Sequence, residues 1–402
     1  MKWVRTMQTG NYTRSRGARG AGAMASVRPW AALAMCVAYS AALMAPAAHA
    51  DISVIQSLPL SGSQALTGRA LNAGARLYFD WLNLDGGING EIIRLVARDD
   101  EQKVEQTLRN VRDMAKIDNP VAALTVVGTA NVEALMRNGV LAEANLPLVG
   151  PATGASSMTG DPLVFPIKAS YQQEMDKMVG ALVTIGVTRI GVLYQDDALG
   201  KEVLAGVERT LKPHRLTIAA TASYPRNTAS VSAAVDKLLG ADVQAVFLGA
   251  TAEPAAQFVK QYRARGGGAQ LLGLSSIDPG ILLKVAGIDA VRGYSLALVM
   301  PNPGKGVNPV IREFNRARTA VGAKDVELSF RAVEGFVAAK VLAEAVRRAG
   351  PKPTRDQVRH ELARLRNFDV GGGFVVDFSD RARPGSHYVE LGVVGPNGLV
   401  IQ

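Results

Sequence analysis

From residue 52 onward, short unbroken apolar runs alternate with longer stretches whose apolar residues recur every three or four positions. Residues 52–60 form the first run and predict a strand. Leu71, Ala75, Tyr78, Phe79 and Leu82 then share one helical face. Gly86-Gly87-Ile88-Asn89-Gly90 marks a turn before a strand over 92–97. The pattern predicts a helix over 104–117, a strand over 122–127, a helix over 132–144 and an apolar run over 146–149. A second series begins after Tyr171. Helices over 174–185, 201–211, 230–239 and 254–265 alternate with strands over 189–194, 216–222, 244–248 and 271–274. A strand over 294–299 follows, then helices over 308–321, 329–348 and 354–367, and strands over 374–402 around Pro396-Asn397-Gly398. This rhythm predicts an α/β fold of mostly parallel sheets with helices on both faces. The stretch from Asp51 to Gln402 is too long for one typical core and suits two lobes. No stretch has the composition of a linker, so short segments must join them.

Two strand-to-helix junctions carry the first chemical signal. Gly128-Thr129-Ala130-Asn131 follows the run 122–127, and Gly150-Pro151-Ala152-Thr153-Gly154 follows 146–149. Small residues and free backbone N–H groups at a helix start form an anion site without a cationic side chain. Two such corners side by side suit one small carboxylate.

Residues 1–50 read as a secretory leader. Lys2, Arg5, Arg14, Arg16, Arg19 and Arg28 precede a mostly apolar run over 30–44, and Ala48-His49-Ala50 has the small-x-small form of a cleavage site. Cleavage is expected between Ala50 and Asp51, with a periplasmic mature chain. The apolar run is shorter than the roughly 20 residues a membrane span needs. Translation from Met24 rather than Met1 would give a leader of ordinary length. The total charge of +10 loses the leader's six cations and falls to a scattered +4, which gives no nucleic-acid footprint. Cys36, the single cysteine, lies in the leader, so disulfides are excluded from the mature chain.

No catalytic or metal constellation emerges. His214, His360 and His387 have no metal-ligand spacing, and no Gly-x-Ser-x-Gly elbow is present. Asp99-Asp100 and Asp196-Asp197 stand at strand ends and read as caps of the following helices. Gly266-Gly267-Gly268 and Gly371-Gly372-Gly373 read as helix C-caps and turns. The expectation is a non-enzyme without cofactor.

Pro59-Leu60-Ser61-Gly62, Gly68-Arg69, Gly74-Ala75, Asn83 with the 86–90 turn, Arg98-Asp99-Asp100, Pro147 to Pro151, and Tyr194-Gln195-Asp196-Asp197 with Gly200 complete the pattern. With these landmarks the chain resembles the type I periplasmic solute-binding proteins of branched-chain amino-acid ABC transporters. The resemblance covers nearly all of residues 51–402. It implies two doubly wound Rossmann-like lobes joined by three crossings, with the ligand cleft between them. The lobes implied are 51–170 plus 300–388 and 171–299 plus 389–402. It also implies site residues: Asn131, Ala152, Thr153 and Gly154 for the ligand carboxylate, Asn131 serving equally as a helix N-cap. Thr67 and Leu199 take the places of the family's aromatic side-chain contacts. On the ammonium side the pattern is broken, because Ala252, Ser275 and Ser276 stand where an aromatic and an acid are usual, and Asp278 is the nearest replacement acid. The ligand implied is an amino acid or related small carboxylate, or, if Asp278 does not serve, an organic or aromatic acid or an amide without an α-ammonium. The partners implied are inner-membrane ABC permease and ATPase subunits, with the receptor a monomer. A ligand sensor on the same fold, coupled to signalling, shares every one of these features.

Overall fold

The protein is described by a computed structural model covering residues 51–402. The expected leader, Met24, Cys36 and the Ala50 side of the cleavage site lie outside the described residues. Three sheets organise the chain. The first contains β1 (Ile52–Leu58), β2 (Ile93–Asp99), β3 (Ala122–Leu124), β4 (Leu148–Val149) and β5 (Val164–Phe165), in the order β2-β1-β3-β4-β5 and parallel throughout. Its crossover helices are α1 (Ala65–Leu84), α2 (Val104–Ile117), α3 (Thr129–Arg137) and the short α4 (Val140–Glu143).

The second sheet repeats that winding. After α5 (Tyr171–Thr184) come β6 (Ile190–Gln195), α6 (Ala198–Leu211), β7 (Ala220–Tyr224), α7 (Ser232–Leu239), β8 (Ala245–Gly249), α8 (Ala252–Ala264), β9 (Gln270–Gly273), α9 (Pro279–Ala286), α10 (Ile288–Val291) and β10 (Ser295–Leu298). The parallel order is β7-β6-β8-β9-β10. Both sheets therefore reverse direction of winding between their first and third strands, which is where open α/β sheets bind ligands at the carboxyl ends of the strands.

Three passages link the lobes. The chain leaves the first sheet after β5 and returns after β10 to place α11 (Pro309–Val321), α12 (Phe330–Ala349) and α13 (Arg355–Ala363) with the first core. A hairpin of β11 (Phe368–Gly371) and β12 (Phe374–Val376) follows. The chain then crosses again, and β13 (Glu390–Val394) and β14 (Val400–Ile401) extend the second sheet antiparallel from β10. The closest helix packing is between α1 and α12. A Cβ at Gly74 would lie 1.8 Å from the Ala332 carbonyl oxygen, and one at Gly335 would lie 2.1 Å from that of Leu71. Glycine at both places lets the two backbones touch, and Tyr78 packs edge-on to Phe336 beside them at 4.8 Å between ring centroids.

Local departures from the expected elements have identifiable causes. The strand expected over 122–127 stops at Leu124 because Thr125 takes φ 47° and accepts a hydrogen bond from buried Gln56 Nε2 at 2.5 Å. The helix expected over 132–144 starts earlier, at Thr129, and breaks where Gly139 turns left-handed at φ 65°. The helix expected over 354–367 ends at Ala363, and Gly371-Gly372-Gly373 turns the β11–β12 hairpin rather than capping a helix. Gly266 does follow helix α8, at φ 84°, with Gly267 N–H donating to the Tyr262 carbonyl as in a helix C-cap. Asp197 caps α6 as expected, accepting from Leu199 and Gly200 N–H. Asp99 and Asp100 cap no helix: α2 starts at Val104, with Lys103 at the N-cap position and no side-chain cap. Asp99 instead holds the β1–α1 loop by accepting from Leu60 N–H and from Ser61.

Candidate functional site

The first sheet's switch point opens onto both junctions. After Thr125 the chain runs through Gly128, at φ 96°, directly into α3, which no side chain caps. The first N–H groups of this helix, those of Thr129, Ala130 and Asn131, point out of its end with the positive pole of the helix dipole. The second junction lies alongside. Ala152 N–H donates to the Val126 carbonyl at 2.9 Å, so Ala152 is joined to the first junction as a bridge. Thr153 and Thr129 then meet, their hydroxyl oxygens 2.8 Å apart and both buried. Thr153 Oγ1 also accepts from Ala155 N–H. Gly154 carries the chain past Tyr171, whose N–H donates to the Gly154 carbonyl at 2.7 Å. A Cβ at Gly154 would lie 2.9 Å from that nitrogen. Thr67, in the first turn of α1, is buried with a hydroxyl that has no partner.

Two expected carboxylate ligands make hydrogen bonds within the protein. Asn131 is not the N-cap, since Gly128 occupies that position. Its amide nitrogen donates to Thr107 Oγ1 at 2.6 Å, and its oxygen accepts from Arg226 Nη2 at 2.5 Å. Ala152 has given its N–H to Val126. Thr129, Thr153 and the backbone beside them remain the group best placed for an anion.

The second sheet's switch point faces this corner. Gln195 ends β6, Asp197 follows as the cap of α6, and Thr251 precedes α8, whose first residue is Ala252. Tyr224 hydroxyl donates to Gln195 Oε1 at 3.1 Å and accepts from Thr251 N–H at 3.1 Å. Leu199 is buried in the first turn of α6. Helix α6 approaches α3, and Ser156 N–H reaches Glu202 Oε1 at 3.0 Å across the cleft. Ser276 hydroxyl donates to the Ala250 carbonyl.

The expected replacement acid, Asp278, is already engaged within the protein at both oxygens. One oxygen caps α9 through Gly280 N–H, and the other accepts from Arg331 N–H. Burial raises its carboxyl above the usual range, against the pull of Arg331. Ser275 is likewise engaged, its N–H and hydroxyl both donating to Glu174 at 2.7 and 2.8 Å.

Sequence reasoning missed two groups. One is a buried ionic cluster where the chain crosses between lobes. Lys168 Nζ lies 3.0 Å from Glu334 Oε1, a charge contact whose geometry is too oblique for a good hydrogen bond. Arg331 pairs with the other Glu334 oxygen and donates through Nη2 to the Ser275 carbonyl at 2.5 Å. Burial pushes the Glu174 carboxyl up to about 7, with Lys168 and Ser275 opposing it. Burial also lowers Lys168, whereas Glu334, which burial alone would raise, is held below its usual range by Lys168 and Arg331. The other group is Arg226 with Gln102, which meet in the cleft. Their only sequence signal is position: each follows a strand at its carboxyl end, β7 and β2. Among the described residues no His, Cys, Asp or Glu cluster suits a metal ion, and no helix is long and apolar enough to cross a membrane.

Two parallel lobes of identical winding, with polar switch points turned toward each other, define a two-lobed binding protein of type I architecture. The family profile described as periplasmic binding protein matches residues 52–397, and the chain belongs to that family. A crystal structure of a substrate-binding periplasmic protein from Ralstonia solanacearum is 87% identical, with a TM-score of 0.87, covering 88% of this chain and all of that one. Leu/Ile/Val-binding protein homolog 8 of Brucella abortus (strain 2308) is 29% identical over 210 residues, so the chain spans about half the length of that relative (51%, and 49% of this chain). Leu/Ile/Val-binding protein homolog 7 of Brucella suis biovar 1 is 25% identical over 332 residues, covering 78% of this chain and 81% of the relative.

Proposed function

We propose that this chain is the periplasmic substrate-binding component of an ABC importer, exported by its first 50 residues and binding a small carboxylate between its lobes. The lobes would be 51–170 plus 300–388 and 171–299 plus 389–402. The observation that carries the reading is the Thr129–Thr153 pair beside the uncapped start of α3. Hydroxyls and backbone N–H groups converge there, a set that recognises a carboxylate oxygen by charge-assisted hydrogen bonds. Ligand would dock on this corner first. Closure would then bring Leu199, Ala252 and the Ser275–Ser276 turn over it, because only the closed form lets the ligand touch both lobes. The closed monomer would be the form that permease and ATPase subunits recognise. Nothing in this scheme needs catalysis.

The ligand class is inferred from how four acids near the cleft are engaged. Asp278, Glu174, Asp197 and Asp100 all have protein partners. A buried ammonium without an anion loses hydrogen bonds worth roughly 1.5–3 kcal/mol each. This supports a carboxylate without an α-ammonium, an organic or aromatic acid. The names of the Brucella relatives favour the second reading, a branched-chain amino acid. A thermal-shift screen separates the two: simple carboxylates should raise the melting temperature and leucine, isoleucine and valine should not. Strong stabilisation by leucine would reverse the assignment.

A further inference from the structure

We propose that Arg226 is an inter-lobe clasp that sets how readily the cleft closes, a positioning role distinct from ligand contact. Arg226 lies just after β7 in the second lobe, on a short loop flanked by exposed Pro225 and Asn227. Its guanidinium reaches across to the first lobe. Nη2 donates to the Gln102 carbonyl at 2.7 Å and to Asn131 Oδ1 at 2.5 Å. Asn227 Nδ2 makes a longer contact, 3.5 Å, to the same Gln102 carbonyl.

Each end of the clasp is held by contacts within its own lobe. On the second lobe, Arg226 Nε lies 3.1 Å from Asp197 Oδ2. Its N–H is not aligned on that oxygen, so the contact holds by charge. Asp197 is itself immobilised as the cap of α6 and by Gln195 Nε2 at 2.7 Å. On the first lobe, Asn131 is turned to offer its oxygen because its nitrogen donates to Thr107, which donates in turn to buried Asp100. Gln102 is locked over Gly128, where a Cβ would lie 2.1 Å from its Nε2. The contacts to Gln102 and Asn131 join residues of opposite lobes, so they exist only when the lobes are together. They add to closure whatever ligand occupies the cleft. A planar fork that bonds two acceptors from one nitrogen while keeping an acid at Nε is a geometry lysine cannot reproduce in full.

The test reads lobe separation directly. The mature chain has no cysteine, so Arg109→Cys in α2 and Ala233→Cys in α7, both exposed, carry spin labels on opposite lobes. Pulsed dipolar spectroscopy without added ligand should show a short-distance population in the otherwise native chain. Arg226→Met should lower the closed-to-open ratio about tenfold, the loss of one charge-assisted contact set. Arg226→Lys should restore part of it. Asp197→Asn keeps the α6 cap and attacks the clasp from its other end, and it should lengthen the mean distance in the same direction. Distance distributions of Arg226→Met and Asp197→Asn that superimpose on the native one, with unchanged circular dichroism, overturn the clasp. These arms use no ligand, so a failed carboxylate screen would count against the proposed function and leave this result standing.

Discussion

The Thr129–Thr153 contact can be weighed by a double-mutant cycle. Thr153→Val keeps shape and replaces the hydroxyl with a methyl. It strands two groups: Thr129 Oγ1, 2.8 Å away, and Ala155 N–H, which donates to Thr153 at 3.3 Å. Both threonines are buried while the lobes are together, which limits how far water can replace the lost partner. A buried polar group left unpaired costs about 1–3 kcal/mol, and the long Ala155 bond sits at the low end, so Thr153→Val should cost about 2 kcal/mol. Thr129→Val leaves Ala155 satisfied and should cost about 1 kcal/mol. The double variant strands only Ala155 N–H, since replacing both partners of a hydrogen bond by apolar groups is nearly neutral. It should therefore cost only about 1 kcal/mol, with a coupling of about 2 kcal/mol. Urea denaturation followed by circular dichroism measures all four corners. Costs that add within about 0.3 kcal/mol would show that the hydroxyls do not act as a pair and refute the geometry on which the anion corner rests.

Three further outcomes follow from the same structure. Gly335→Ala drives a Cβ into the Leu71 carbonyl and should cost more than about 4 kcal/mol or prevent folding; a soluble variant with a native melting temperature would contradict the α1–α12 backbone contact. Gly128→Ala must hold φ 96° with a side chain and displace the Gln102 amide, so it should cost about 1–3 kcal/mol by urea denaturation, and a neutral result would sink that placement. Burial pushes the Glu174 carboxyl up to about 7 in the folded protein, whereas in the unfolded chain it titrates near the ordinary 4.5. Its contribution is thus complete below pH 4.5 and lost as pH rises through 7, a change of roughly 2–4 kcal/mol. Glu174→Gln should flatten the fall in unfolding free energy between pH 5 and 8; an unaltered slope would assign that fall to other groups.

The winding of both lobes was legible because it rests on local pattern. Runs such as 190–194 and the helical face through Leu71, Ala75 and Tyr78 are buried whatever their partners are. What escaped were features decided at long range. Strand β3 stops early because Gln56, 69 residues away, reaches Thr125. Strand β5 has only two residues, too few to show a period. The site divides in the same way. Thr153 and Gly154 were legible as a small polar turn after a strand. Asn131 and Asp278 were legible as polar residues in the right segments, yet their polar atoms are already bonded to Thr107, Arg226, Gly280 and Arg331. Sequence identifies a donor or acceptor; only the fold reveals whether it is already used. Arg226 was one cation among many scattered ones until the fold set it against Asn131, 95 residues away.

The central claim is that the Thr129–Thr153 corner binds a carboxylate. Calorimetry with the strongest carboxylate from the thermal screen and with its neutral amide tests this most directly, in the native chain and in Thr153→Val. Single-site binding of the acid is expected, with at least tenfold weaker binding of the amide and a comparable loss for the acid in Thr153→Val. Equal affinity for acid and amide, undiminished by Thr153→Val, would contradict it.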